Sequence, residues 1–412
     1  MAFLGRHLRL LFLGTALVVA AFSTGIDFLF FLTYLMAAIG IGSWLYARRG
    51  LRDVRADYRV LNPRTHVGEV LQAIYRVENH DRWGKPWIEC WNESTLPASL
   101  PGRVIGIPAS STRQWLAKVT LTRRGSYRLG ALRVRTGDPF GLFSSEMMVG
   151  APTSVVVFPE VVPLPHWRLP PSPIDGTTPM RRRYEAATPL VSGVRPYVHG
   201  DAINRIHWLS SARHGELHVK EFDMEQAADL WIVLDLDRSV HAGVGNDASV
   251  ETAVTIAASV ALRTLADNRA VAMTASARRV QSHQPDRGPR VEQKLLHLLA
   301  NVQADGANPL AEVITATLHQ LRRGMTLCIV TGSTDRAWVR GLSALRRRGV
   351  AALVILLDRS SFIGVEPDDH SRAELAAVRH ALAEYDIEHR LVRRGDDIGE
   401  AIGGRGRVRT RG

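Results

Sequence analysis

Lysine is nearly missing from this chain. It occurs only at positions 85, 118, 220 and 294, so arginine supplies 48 of the 52 basic residues. Cysteine is scarcer still. Cys90 and Cys328 lie far apart in apolar, strand-like runs, which excludes a disulfide-framed scaffold and reads as two buried thiols in a reducing compartment. No Gly-x-x-x-x-Gly-Lys-Ser/Thr phosphate loop, His-Glu-x-x-His, paired CxxC or Gly-x-Ser-x-Gly elbow is present, so no catalytic motif with a known mechanism can be assigned. The 15 histidines are scattered rather than set at ligand spacing. The net charge of +12 would suit nucleic acid or an anionic membrane surface. No run of basic residues interleaved with stacking aromatics marks a nucleic-acid site, however. Many arginines flank apolar segments or have carboxylates available to pair with.

What the chain does have is a long apolar start. Between Leu10 and Tyr46 the one strongly membrane-averse side chain is Asp27. The run is too long for a single span of about 20 residues, and Ser23-Thr-Gly25-Ile-Asp27 divides it. Two short spans are expected, about Leu8–Phe22 and Phe28–Tyr46, within a hairpin at 1–50. Arg6 and Arg9 precede the pair, and Arg48, Arg49, Arg52 and Arg55 follow it. Both ends are positive, so both termini are expected in the cytoplasm and the protein in the inner (cytoplasmic) membrane.

Residues 51–163 alternate apolar and polar character, as in Val70–Val77 and Trp115–Leu121, with no long helical period. That pattern predicts a β-sandwich-like domain. Gly125 and Gly130 fit tight strand ends, and Asp138-Pro139 with Gly141 fits a turn. Phe140, Leu142 and Phe143 are expected to plug the core beneath it. A proline-rich linker follows at 164–189.

Charge and aromatic surface are densest in the next block, 190–228. It begins LVSGVRPYVHGDAINRIHWLSSARHGELHVKEF. Arg195, Tyr197, Gly200, Asp201, Arg205, Trp208, Arg213, Lys220 and Glu221 stand out. Ile203, Ile206 and Leu209 suggest a brief helical stripe, and His214-Gly215 a turn into a strand at Glu216–Phe222. No nucleophile with an evident base accompanies the charges, so Arg195, Asp201, Arg205 and Arg213 are expected to form structural ion pairs. From 229 to 398 apolar runs alternate with helical patterns, which predicts a doubly wound α/β domain on a parallel sheet. Its first strand, Leu230–Leu234, ends in the carboxylate loop Asp235-Leu-Asp237-Arg-Ser239. In such sheets ligands sit at strand carboxyl ends, where Thr331 also falls. The remainder, 399–412, is a glycine- and arginine-rich tail expected to be disordered.

The block from Arg195 to Glu221, together with Arg124–Gly130 and Gly137–Phe143, resembles the domain of unknown function 58 family of bacterial membrane proteins. The Asp235 loop resembles the metal-site loop of a von Willebrand factor type A domain. Three implications follow from these resemblances. The fold combines a membrane hairpin, a β-rich domain and a type A-like domain. Protein partners are implied, among them a MoxR-type AAA+ ATPase. A divalent ion, Mg²⁺ or Ca²⁺, would be held by Asp235, Asp237, Ser239 and Thr331. The pattern is degenerate here: Asp237 replaces the middle serine, Ala307 or Asn308 stands near the expected threonine, Thr331-Gly332-Ser333 replaces Thr-Asp-Gly, and Asp335 is late. No cofactor is therefore expected. His207 and Pro196 also stand where the family has acids. The expectation is a membrane-anchored, cytosol-facing interaction protein. A metal-dependent or arginine-assisted enzyme and an arginine-rich nucleic-acid binder are the alternatives.

Overall fold

The computed structural model describes residues 2–170, 191–198, 201, 206–222, 229–364 and 368–403. The chain divides into two compact units, Met1–Val161 with Leu296–Val302, and Val162–Leu295 with Gln303–Gly412.

The first unit opens with two apolar helices, α1 (Ala2–Thr24) and α2 (Asp27–Gly50). Gly25 turns between them in the left-handed region at φ +68, where glycine carries no Cβ penalty. Phe12, Phe22, Phe28, Phe31 and Tyr34 are exposed. α2 is long and apolar enough to cross a bilayer. So much uncovered aromatic surface on a helix pair is costly in water and fits association with a membrane. Ser249–Ala266 also has the length and hydropathy of a span, but most of it is buried inside the second unit, so it is a core helix.

Nine strands follow: β1 (Val54–Val60), β2 (Arg64–His66), β3 (Val70–Asn79), β4 (Lys85–Ser94), β5 (Arg103–Ile107), β6 (Ser111–Thr120), β7 (Gly125–Gly137), β8 (Ser144–Val149) and β9 (Thr153–Phe158). They form a sheet in the order β1-β3-β6 and a second in the order β2-β9-β7-β4-β5, with β8 also on β7. β7 is long enough to pair β9 along 125–129 and β8 along 132–137. Alternate residues of both sheets, such as Leu71, Tyr75 and Val77 with Ile88, Leu129 and Val134, share one core. The two sheets are also tied by hydrogen bonds: Tyr58 donates to the carbonyls of Gly130 and Ala151, and Tyr75 donates to Asn92 Oδ1 at 2.6 Å. Burial pushes the Cys90 thiol up to about 12.

Two expectations need correction here. Gly130 lies inside β7 rather than at its end, where a Cβ would press on the Glu93 carbonyl across the sheet. The turn at Asp138 is correct in its chemistry but not in its plug. The buried Asp138 accepts from the amides of Phe140 and Phe143, whereas Phe140 is 65% exposed. The carboxylate, stitched to two backbone N–H groups, anchors the loop in place of the ring.

In the second unit, β10 (Val191–Pro196) and β11 (His218–Phe222) form a two-stranded antiparallel sheet, with helix α3 (Trp208–His214) between them in sequence. Then come β12 (Leu230–Leu234), α4 (Ser249–Ala266), β13 (Val271–Ser276), β14 (Val280–Asp286), α5 (Pro289–Asn301, of which the residues from Leu296 on are counted with the first unit), α6 (Leu310–Leu318), β15 (Thr326–Thr331), α7 (Ala337–Arg347), β16 (Ala351–Leu357), α8 (Arg359–Ile363), α9 (Asp369–Glu384), β17 (Glu388–Val392) and α10 (Ile398–Ile402). The strand order is β14-β13-β12-β15-β16-β17. All pairings are parallel except β13 with β14, which is antiparallel; to that extent the expectation of an all-parallel sheet is corrected. β12, β13 and β15 are buried along their whole length, as central strands covered on both faces must be. Trp231, Leu327, Trp338 and Val354 belong to one core cluster.

Candidate functional site

Strand order reverses between β12 and β15, which makes their carboxyl ends the switch point where open α/β sheets place ligands. Asp235 stands there, fully buried. Thr331, at the end of β15, donates from Oγ1 to Asp235 Oδ2 at 2.6 Å, and its oxygen accepts from the Ser333 amide at 2.9 Å. Asp235 Oδ1 accepts from the Asp237 amide at 3.2 Å and from Ser276 Oγ at 3.4 Å. Asp237 turns back on its own loop, with Oδ1 accepting from both the amide and the hydroxyl of Ser239. His241 Nε2 lies 2.8 Å from the Asp235 carbonyl and its Nδ1 3.0 Å from Ser249 Oγ. Burial holds the Asp235 carboxyl above the usual carboxylate range, against the opposing pull of the Thr331 hydrogen bond.

Two glycines let the neighbouring loops close on this carboxylate. Gly306 bridges Asp237 and exchanges backbone hydrogen bonds with Leu236 and Arg238; a Cβ there would strike the Ser276 carbonyl. Gly332 lies against the Val240 carbonyl in the same way. The four candidate residues Asp235, Asp237, Ser239 and Thr331 therefore share one loop cluster. Asp335 is exposed and accepts from the Ala337 amide at the start of α7.

Most of the oxygens in this cluster are engaged by protein donors. Both oxygens of Asp235 accept from protein donors, and Asp237 Oδ1 is taken up by Ser239. The positions that would carry the missing threonine and aspartate hold Ala307 or Asn308 and Ser333. Among the described residues, no three His, Cys, Asp or Glu side chains converge. Hard cations need several uncommitted oxygens.

The charged block folds differently. Arg195 grips Asp201 with two prongs, Nη1 to Oδ2 at 2.7 Å and Nη2 to Oδ1 at 2.8 Å, and Asp201 also accepts from the Val198 amide. The Tyr197 amide donates to the Leu217 carbonyl. His207 caps α3, its Nδ1 accepting from the Ser210 amide at 3.2 Å. An aspartate, the residue implied at this position by the family resemblance, would serve as well. Ser211 Oγ accepts from the His218 amide and donates to the His207 carbonyl, sewing α3 to β11. Gly215 ends the helix in the left-handed region at φ +74. The expected stripe of Ile203, Ile206 and Leu209 is corrected at Ile206 and Leu209; Ile203 lies outside the described residues. Ile206 is buried in a β-bridge with Val219, and α3 begins only after the His207 cap. Leu209 and Trp208 face outward, 72% and 65% exposed. Arg213 is exposed and has no ion-pair partner among the described residues, so of the expected charge knot Arg195 and Asp201 are paired and Arg213 stands apart from them. Gly200 and Arg205 lie outside the described residues, as do the side chains of Lys220 and Glu221. The outward turn of Trp208 and Leu209 was missed in the sequence; the His207 cap was the signal available for it.

Residues 193–362 match the model of a family described as "Protein of unknown function DUF58". This segment is a DUF58 region. The chain is 27% identical over 192 residues to "Uncharacterized protein YeaD" of Bacillus subtilis (strain 168), covering 46% of this chain and 45% of that protein. It is 26% identical over 169 residues to "Uncharacterized protein Rv1480" of Mycobacterium tuberculosis, covering 40% and 53%. The chain thus spans about half the length of the curated relatives it matches. Among solved structures, the CARDB domain of the PF1109 protein from Pyrococcus furiosus matches 26% of the chain and 92% of that domain, at 14% identity and TM-score 0.20. The complex of zinc 2-glycoprotein and prolactin inducible protein from human seminal plasma matches 25% of the chain and 92% of the matched protein, at 9% identity and TM-score 0.21. The DUF58 region contains both the Arg195–Asp201 clamp and the Asp235 cluster, and its family description assigns neither a role.

Proposed function

We propose that this protein is a membrane-anchored interaction protein whose DUF58 region recruits a protein partner in the cytosol. The observation that carries the reading is the display of Trp208 and Leu209 on α3. A short helix held by a side-chain cap, by Ser211 and by a sheet clamped through Arg195 and Asp201 presents a large aromatic and an aliphatic side chain to solvent. Exposed Trp beside an aliphatic residue is characteristic of interface anchors. The α/β unit is read as von Willebrand factor type A-like. Its strand order, its one antiparallel edge strand and the Asp235 loop at the switch point support that reading. The resemblance to the family makes a MoxR-type AAA+ ATPase the first partner to test. The apolar hairpin, with arginines on both flanks, supports an inner-membrane anchor with both termini inside.

Crosslinking from native membranes tests the recruitment. The wild-type chain should capture a defined protein, and Trp208→Ala with Leu209→Ser should lose it at equal membrane abundance. Capture unchanged by the double substitution would refute the Trp208 surface. Reporter fusions at Gly25 and Gly412 should place the turn outside and the C-terminus inside; an external C-terminus would refute the cytosolic reading.

A further inference from the structure

The end of the β-rich domain that meets α2 turns two large aromatic side chains outward. Trp83, between β3 and β4, is 67% exposed, and Phe140, between β7 and β8, is exposed as well. Both loops leave the sandwich at one end. β4 and β7 run antiparallel, so the start of β4 lies beside the end of β7. Thr136 Oγ1 donates to the Trp87 carbonyl at 2.6 Å between them. The end of α2 joins there too. α2 packs on β7 and β8, and Gly50 lies so close to Thr136 that a Cβ would strike its Cγ2. Lys85 Nζ donates to the Arg49 carbonyl at 3.0 Å and to Asp81 Oδ2 at 2.8 Å, which straps the Trp83 loop to the end of the helix.

The level of the bilayer follows from α2. Trp44 and Tyr46 are exposed, and the Arg48 guanidinium lies over the Trp44 ring at 5.2 Å. Aromatic side chains followed by arginines are how a spanning helix marks the water interface. Arg49 is five residues beyond Trp44, about 7.5 Å along the helix axis. The headgroup region of one leaflet is about 5–8 Å deep, so the loop tied to Arg49 lies at headgroup depth. Three carboxylates at this end are already engaged. Asp53 pairs with Arg52 and Asp81 with Lys85, and Asp138 accepts two amides. Arg48, Arg49 and Arg82 are exposed, and the arginine fork suits phosphate. We propose that Trp83 and Phe140 dip into the headgroup layer of the bilayer that holds the hairpin, seating this end of the β-rich domain on phospholipid. This seating rests on the reading of α1 and α2 as a membrane anchor and is independent of the Trp208 surface.

The test uses the full chain in nanodiscs of phosphatidylcholine and phosphatidylglycerol, with lipids spin-labelled on the headgroup or the acyl chain. A fluorophore is placed through Arg82→Cys or Pro139→Cys, beside the two aromatics, or through Leu61→Cys or Phe31→Cys. All four positions are exposed, and the native Cys90 and Cys328 are buried. Leu61 follows the opposite end of β1, about 20 Å away along the strand, so headgroup spin labels should quench positions 82 and 139 about threefold more than position 61. Trp83→Ala with Phe140→Ala should remove at least half of the quenching at 82 and 139. It should leave the thermal midpoint unchanged, because both side chains are exposed. The Phe31 position reports the anchor by itself and should be quenched by acyl-chain labels in every variant. Quenching at Phe31 with none at 82 and 139 would overturn the seating and leave the anchor standing. So would quenching at 82 and 139 that the double substitution does not reduce, since the helix tether alone would then set the distance. No quenching at Phe31 would overturn the anchor and the seating together.

Discussion

Asp201 and Asp235 lie in one DUF58 region, and the structure treats them in opposite ways. Asp235 is sealed in among hydroxyl and amide donors. Asp201 is clasped by an arginine whose side chain is 35% exposed, its own being 7% exposed. One carboxylate holds the carboxyl ends of β12 and β15 together. The other stiffens a small sheet to which α3, the helix that displays Trp208, is sewn. A dense charged sequence block therefore need not be a reaction centre. Two of its charges here are paired with each other in building a platform, and Trp208 and Leu209 face outward.

The strongest way to break this comparison is to remove the inward carboxylate. Asp235→Ala strands the Thr331 hydroxyl and the Asp237 amide, and each buried group left without a partner costs about 1–3 kcal/mol. A loss of about 3 kcal/mol should lower the thermal midpoint of the α/β unit by roughly 6–12 °C. Asp235→Asn keeps the shape and one acceptor oxygen, so it should lose less than half as much. Calorimetry of the two variants decides the point. If Asp235→Ala melts like the wild type, the cluster is not a structural latch, and the comparison with Asp201 collapses.

Legibility from sequence followed burial. β12, β15 and β16 were readable because central strands are continuous apolar runs, and the β3 and β6 segments because half-buried strands alternate. β14 and β17 were not, because edge strands such as Val280–Asp286 and Glu388–Val392 carry exposed polar side chains that break both patterns. The Asp235 loop was legible as a carboxylate cluster at a strand end, but its closure was not. That closure depends on Gly306 and Gly332, which come from other loops and matter only through close approach. In the charged block the Arg195–Asp201 pair was anticipated. Arg213 was not separable from it, since helix direction decides which arginine faces a carboxylate. The DUF58 resemblance was carried in part by the residues that form the clamp, Arg195 and Asp201, whereas the cap residue His207 departs from it.

A middle-sized effect is expected at the outward carboxylate. Asp201→Ala removes a two-pronged pair and the acceptor for the Val198 amide. Exposed pairs are worth about 0–1 kcal/mol and loss of a buried partner about 3–5. This pair is half-buried, so about 1–2 kcal/mol is expected. Arg213→Ala should fall within about 0.5 kcal/mol of the wild type, as surface changes do. Thermal melts of the two variants, with Arg195→Ala for a double-mutant cycle, measure the difference. Equal and large losses at Asp201 and Arg213 would restore the wider charge knot and place Arg213 against a partner.

The smallest expected effect is that of metal, and it separates a closed latch from an ion site most cleanly. An ion bound only by the folded state stabilises it by about 2.7 kcal/mol at a hundred times its dissociation constant. For a site of micromolar affinity, millimolar Mg²⁺, Mn²⁺ or Ca²⁺ would therefore raise the midpoint by at least about 5 °C. Because Thr331, Ser276 and the Asp237 amide already satisfy Asp235, a shift below about 1 °C is expected with each ion, and the same melt after chelation. Asp235→Asn sharpens the reading. An ion site would lose its metal-dependent rise in that variant, whereas a latch shows no rise to lose. A rise of several degrees that Asp235→Asn abolishes would mean that the loop opens to take a cation, and that the inward carboxylate belongs to a binding site after all.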